Sequence, residues 1–267
     1  MTSHPSPPRR RIVGVSTKMY FSAARTKQYV HELLQIISSS SPLPGLPDQV
    51  DVFIIPDHVT LTSVVSQLEG TQILTGAQDA FYEDTGAYTG EVSPAVLAEV
   101  GCRIVELGHA ERRRIFGETD LDAARKAAAA ARHGMIPLVC IGERTKGEDD
   151  EGTAAATAVA VDECRHQVEA VLASLPDDAE IVLAYEPVWA IGAAEPAGAQ
   201  HVVAVAREIR ALECVRRRGG TTRILYGGSA GPGLFEKLKD GVDGLFLGRF
   251  AHDPAQFYRT ILEVAAA

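Results

Sequence analysis

The sequence predicts a single eight-stranded β/α barrel, and three observations lead there. Eight short apolar runs are spread along the chain, each followed by a Gly, Pro or polar turn and then by a longer stretch of helical pattern. The runs are continuously apolar, as strands buried on both faces of a parallel sheet are. No composition break divides the 267 residues, and barrels of this kind use about 250 residues as one unit.

The first strand is expected at 11–16, after a stretch (1–10) rich in Ser, Pro and Arg that reads as a disordered tail. That stretch lacks the apolar centre of a secretory signal, so the folded domain is expected to span 11–267. A helix over 23–38 comes next, then the segment SSSSPLPGLP (38–47), which reads as a surface loop. The remaining strands are expected at 50–55, 72–77, 103–107, 136–141, 180–185, 223–226 and 244–247, with helices over 121–132, 153–174, 199–218 and 254–266. The alanine run 127–131 favours helix strongly. An open doubly wound sheet is the competing arrangement of such units, but no GxGxxG follows the first strand, where a dinucleotide fold carries it.

Composition excludes several function classes. The 26 Lys and Arg against 35 Asp and Glu leave a formal net charge of -9, which argues against nucleic-acid and anionic-membrane partners. An anionic substrate therefore needs a local positive site. Cys102, Cys140, Cys164 and Cys214 show no CxxC spacing and are expected to be buried thiols. No apolar run approaches the roughly 20 residues that cross a bilayer, and cytoplasm is the default compartment. Without a Walker loop, HxxxH or CxxC, no cofactor or metal is expected.

Several polar residues fall just after strand ends, and in a barrel that one rim is where active sites form. Lys18 follows the first strand, His109 the fourth, Glu186 the sixth, Ser229 the seventh, and Gly248 with Arg249 the eighth. A base, a hydrogen-bond donor, a cation and two glycine-rich loops then face one small volume. Each alone has a bland reading: Glu186 a carboxylate capping a strand, Lys18 a surface lysine, the glycines tight turns. The other seven histidines are read as packed or surface residues.

The blocks STKMY (16–20), GAQD (76–79), GAYTGEVSP (86–94), ELGHAERR (106–113), CIGE (140–143), AYEPVWAIG (184–192) and ILYGGSA (224–230) follow one another in an order that resembles the triosephosphate isomerase family over nearly the whole chain. The resemblance implies aldose–ketose isomerisation of a phosphorylated sugar through an enediolate, without metal or nicotinamide. It makes Glu186 the base that takes the proton next to the carbonyl. His109 opens a short helix, whose N-terminus presents positive potential suited to a neutral, donating imidazole; this family is itself the standing example of that arrangement. Lys18 is implied as the cation that stabilises the enediolate, Glu111 as the carboxylate that orients it, and Arg112 as a structural ion pair. Phosphate binding falls to backbone amides of Gly227, Gly228, Ser229 and Gly248, with Gly192 on a lid spanning 187–197. The loop 86–94, with Thr89 at its tip, resembles one that docks near the lysine and histidine of a second copy, which implies a two-fold homodimer.

The pattern departs from the family at specific places. Ser16 and Thr17 stand where the family has Asn and Trp, Tyr20 where it has Asn, Ala110 where it has Ser, and Arg249 where it has Gly. The lid tip, AAEPAG (193–198), also differs, and Pro196 can stiffen its second hinge. Ser16, counted with the substrate-binding set, removes an amide and opens space for one more carbon. Arg249 resembles a branch acting on erythrulose phosphates. Triose phosphate is ranked first and a four-carbon ketose phosphate second, with a non-catalytic sugar-phosphate-binding barrel as the reading from another class.

Overall fold

The computed structural model describes residues 10–40, 46, 48–146, 153–191, 197–228 and 230–267. The chain runs β1 (Arg11–Ser16), α1 (Ala23–Ser39), β2 (Val50–Ile55), α2 (Leu61–Leu68), β3 (Ile73–Ala77), α3 (Pro94–Glu99), β4 (Ile104–Leu107), α4 (Ala110–Phe116), α5 (Asp120–Arg132) and β5 (Ile136–Ile141). It continues through α6 (Ala154–Leu172), β6 (Ile181–Tyr185), α7 (Ala199–Ala211), α8 (Glu213–Arg216), β7 (Thr222–Gly228), α9 (Phe235–Leu238), β8 (Gly244–Leu247) and α10 (Pro254–Ala266). All strand pairs are parallel, and β1 closes the ring by pairing with β8, Ile12 beside Gly244.

Each strand buries both faces, which is why its residues read as an unbroken apolar run. Ile12, Phe53, Ile55, Ile104, Leu138, Cys140, Val182, Ala184, Leu225 and Phe246 form an inner cluster that fills the barrel. Their alternates, such as Val13, Ile54, Val105, Val139 and Leu183, join the layer between strands and helices. Burying each Val, Ile or Leu side chain stabilises by about 1.5–3 kcal/mol. Continuing the alternation past the inner cluster places Ser16, Glu106 and Glu186 on the inward face at the C-terminal ends of β1, β4 and β6.

Helix starts follow sequence signals. Ser22 caps α1, Thr119 and Asp122 form a reciprocal capping box on α5, Thr153 caps α6, and Asp253 caps α10 ahead of Pro254. The alanine run of α5 buries Ala127, Ala129 and Ala130, letting that helix approach closely. The expected helix 199–218 divides instead, because Leu212 takes extended backbone between α7 and α8. Neither Pro nor Gly marks that break.

The strands agree with expectation within one or two residues, and the largest difference is β7. It begins at Thr222 and retains Gly227 and Gly228, paired with Phe246 and Leu247, although glycine has low strand propensity. Arg10, assigned to the tail by composition, pairs with Asp51 at 2.6 Å; residues 1–9 lie outside the described residues. Cys102, Cys140 and Cys164 are buried as expected, whereas Cys214 is partly exposed at the short α8. No helix among the described residues is long and apolar enough to cross a membrane.

Candidate active site

Because the strands are parallel, their C-terminal ends share one rim, and a cavity of about 400 Å³ opens there. Lys18, His109 and Glu186, distant in sequence, all line it, together with Ser16, Glu111, Gly228, Gly248 and Arg249. Gly192 and Ser229 lie outside the described residues. Thr89 sits on an exposed loop and does not line the cavity. Phe81 N–H donating to Val92 and Ser93 Oγ donating to Asp84 hold that loop's base.

Glu186 follows β6 directly, its N–H donating to Ile141 at 2.8 Å. The residue is 6% exposed, and Oε2 lies 3.4 Å from His109 Nε2 without a hydrogen-bond partner. Gly227 is not among the residues lining the cavity, and its α-carbon packs against Glu186, for a Cβ there would sit 2.3 Å from Glu186 Oε1. Gly228 adopts φ +120, a backbone that side chains disfavour.

His109 is the N-cap of α4, and its Nδ1 accepts from Glu111 N–H at 3.1 Å. An acceptor at Nδ1 leaves the neutral ring's proton on Nε2, the atom facing Glu186 and the cavity. Lys18 takes left-handed backbone at φ 47, a conformation that costs a non-glycine residue about 1–3 kcal/mol. Gln78 Nε2 donates to its carbonyl at 2.8 Å, and its Nζ donates to Glu111 Oε1 at 2.8 Å. Burial opposes the charge of Lys18, but the hydrogen bond and charge of Glu111, with Glu186 and Glu106 behind it, prevail and raise its pKa. For Glu111, burial is likewise outweighed by Lys18, and its pKa falls.

Among the lining residues that sequence reasoning does not single out, two carry titratable side chains, Glu106 and His252. Glu106 opens the block ELGHAERR, and its alternation with Ile104 on β4 is the sequence signal that points it inward. It is 4% exposed, and burial pushes its carboxyl up to about 7, Glu186 adding to the rise while His109, Ser16 and Lys18 oppose it. His252 was read as packed or surface, yet it lines the mouth with Nε2 3.4 Å from Ser16 O. Burial lowers its pKa, and Arg249, Arg25 and Lys18 lower it further. Arg249 is exposed at the mouth and makes no ion pair among the described residues. Arg112 does form structural ion pairs, with Asp79 at 2.8 Å and Glu118 at 3.1 Å.

Behind the site, the turn Val188–Ala190 is tied to Glu143, which is fully buried. Val188 N–H donates to Glu143 O at 2.9 Å, and Trp189 Nε1 and Tyr185 Oη donate to its Oε1 at 2.9 and 3.1 Å. The first turn after Glu186 is therefore fixed from below. Chemically, the cavity offers an inward carboxylate, a ring N–H facing it and an ammonium lining the same space, an arrangement suited to moving a proton next to a carbonyl whose oxygen becomes negative.

The triosephosphate isomerase family model matches residues 11–264. The L-erythrulose-1-phosphate isomerase of Pectobacterium atrosepticum is 44% identical over 252 residues, 93% of each chain. That of Mesorhizobium japonicum is 40% identical over 261 residues, 96% of this chain and 97% of the relative. The triosephosphate isomerase of Thermoanaerobacter pseudethanolicus is 35% identical over 245 residues, 90% of this chain and 94% of the relative. A closed (β/α)8 barrel, the shared rim and a family match over almost the full length agree: this chain belongs to the triosephosphate isomerase family.

Proposed function

We propose that this chain isomerises a four-carbon ketose phosphate, L-erythrulose 1-phosphate, by transferring one proton through an enediolate. The observation that carries the chemistry is the approach of Glu186 Oε2 to His109 Nε2, 3.4 Å, on a cavity that Lys18 also lines. Glu186 takes the proton from the carbon beside the carbonyl, and the C–H electron pair becomes the enediolate double bond. His109 Nε2–H and Lys18 Nζ–H donate to the two oxygens as charge develops on them. Return of the proton from Glu186 to the neighbouring carbon leaves the carbonyl moved by one position. Nothing is oxidised or reduced from outside, and the atoms balance without a cofactor.

The phosphate dianion is assigned to amides of Gly228, Ser229 and Gly248, with Gly192 from the lid, and Arg249 supplies a cation at the mouth. Closure of the lid over 187–197 keeps water from the enediolate. The four-carbon reading is favoured by Ser16 at a position where the family has the larger Asn, by Arg249 at the second phosphate turn, and by the names of the Pectobacterium and Mesorhizobium relatives. The triose reading is favoured by retention of the base, imidazole and lysine and by the Thermoanaerobacter relative. A barrel that only bound sugar phosphates would gain nothing from a base aimed at an imidazole.

Steady-state kinetics on L-erythrulose 1-phosphate and dihydroxyacetone phosphate separate these readings. A higher kcat/KM for the tetrulose is expected, and a higher value for the triose reverses the ranking. Glu186→Gln is expected to lower kcat by about 10²–10⁴ on either substrate, and unchanged turnover in that variant defeats the mechanism.

A further inference from the structure

Glu106 has no part in the chemistry above, yet it lines the same cavity from the inner face of β4. It is almost completely buried, and its Oε2 has no hydrogen-bond partner. Ser16 Oγ, on the inner side of β1 and lining the same cavity, is also buried; it sits close enough to the Glu106 carboxyl to hold its pKa down, but no hydrogen bond of full geometry joins them. Buried polar atoms are nearly always satisfied, because leaving one unpaired costs free energy. Two neighbouring buried polar atoms on one cavity, neither with a well-formed bond, mark a place where a ligand hydroxyl can complete them.

The substrate chemistry says which group that is. In dihydroxyacetone phosphate the carbon deprotonated by the base carries two hydrogens and a hydroxyl. In L-erythrulose 1-phosphate one of those hydrogens is replaced by a hydroxymethyl group. The additional hydroxyl is therefore two bonds from the reacting carbon and on the side away from the phosphate. Glu106 is close enough to Glu186, His109 and Lys18 to feel the charge of all three, so it belongs to the reacting end of the cavity. A carboxyl titrating near neutral pH can accept from a hydroxyl when ionised and donate to it when protonated.

We infer that Glu106, with Ser16 beside it, is a specificity-determining residue that hydrogen-bonds the terminal hydroxymethyl group of a four-carbon ketose phosphate. This rests on the isomerase reading for its substrate but not for its geometry. A site built around a substrate hydroxyl discriminates against the analogue lacking it, because its own polar groups are then left unpaired.

The test compares Glu106→Leu and the nearly isosteric Glu106→Gln with wild type on both substrates. Glu106→Leu is expected to lower kcat/KM for L-erythrulose 1-phosphate by about 10- to 100-fold, the usual worth of a hydrogen bond to a charged group, and that for dihydroxyacetone phosphate by less than about threefold. Glu106→Gln, which keeps a polar head and carries the test if the leucine variant does not fold, is expected to show the same selectivity with a loss of about three- to tenfold. Equal losses on both substrates, or none on either, overturn the inference.

Calorimetric binding to Glu186→Gln protein provides a readout independent of turnover. L-Erythrulose 1-phosphate should bind more tightly than dihydroxyacetone phosphate, and adding Glu106→Leu should abolish the difference. If wild type turns over neither sugar while this difference persists, the isomerase reading fails and the role of Glu106 stands; equal affinities in the Glu186→Gln protein refute it.

Discussion

The Glu186 carboxylate rests against the α-carbon of Gly227, where a side chain would come within 2.3 Å of Oε1 and 2.4 Å of Cγ. Gly227→Ala is therefore expected to displace the base. A misplacement near 1 Å costs about 10²-fold in rate, so kcat should fall by about that factor while the protein remains folded; near-wild-type kcat would show that the carboxylate can work from elsewhere. Glu106 gives a second test at this scale. Its folded pKa, about 7, lies above the ordinary glutamate value of 4.5, so its contribution favours folding fully below pH 4.5 and is lost as pH rises to about 7. The difference corresponds to about 3 kcal/mol. Glu106→Gln removes the titration, so thermal melts should show the variant gaining stability relative to wild type between pH 4.5 and 7. A difference independent of pH would contradict the assigned titration. Motif reading singled out Lys18, His109, Glu186 and Glu111, because each falls at a strand end inside a distinctive block. It passed over Glu106, which faces inward on a strand, and it did not reveal that the α-carbon of Gly227 packs against the Glu186 carboxylate.

Among the elements, the turn Val188–Ala190 depends on Glu143 for its position. Trp189→Phe removes one of the donors to a fully buried carboxylate, at a cost of about 1–3 kcal/mol. For a chain of this length that lowers Tm by several degrees, which calorimetry reads directly; an unchanged Tm would mean that Tyr185 and His201, both 3.1 Å from Glu143 Oε1, already satisfy it. Long helices such as α1, α5, α6 and α10 were legible from their pattern and caps. The short α2, α3 and α9 give too few turns to establish a period, and the break at Leu212 has no local marker, so contacts with the barrel decide them.

For the molecule as a whole, Met19 and Val59 are 90% and 87% exposed and follow the ends of the adjacent strands β1 and β2, beside Lys18. The loop carrying Thr89 is likewise exposed, and Tyr88 next to it is half-exposed. Docking the loop of one copy over the Met19 region of another would cover these apolar groups, each worth about 1.5–3 kcal/mol when buried. Light scattering after size exclusion is expected to give a dimer for wild type and a monomer for Met19→Glu or Thr89→Arg; a monomeric wild type would remove this assembly.

The sequence by itself determined the barrel, because eight apolar runs buried on both faces and the turns between them are local patterns that any part of the chain carries on its own. It also determined which blocks supply a carboxylate, an imidazole and an ammonium at strand ends. Only the tertiary structure decided how those groups face one another: that His109 Nε2 points to Glu186, that Gly227 supports the carboxylate, and that Glu106 and Ser16 come together on one cavity without a well-formed bond. These are contacts between strands far apart along the chain, and their distances arise only once the ring has closed between β1 and β8.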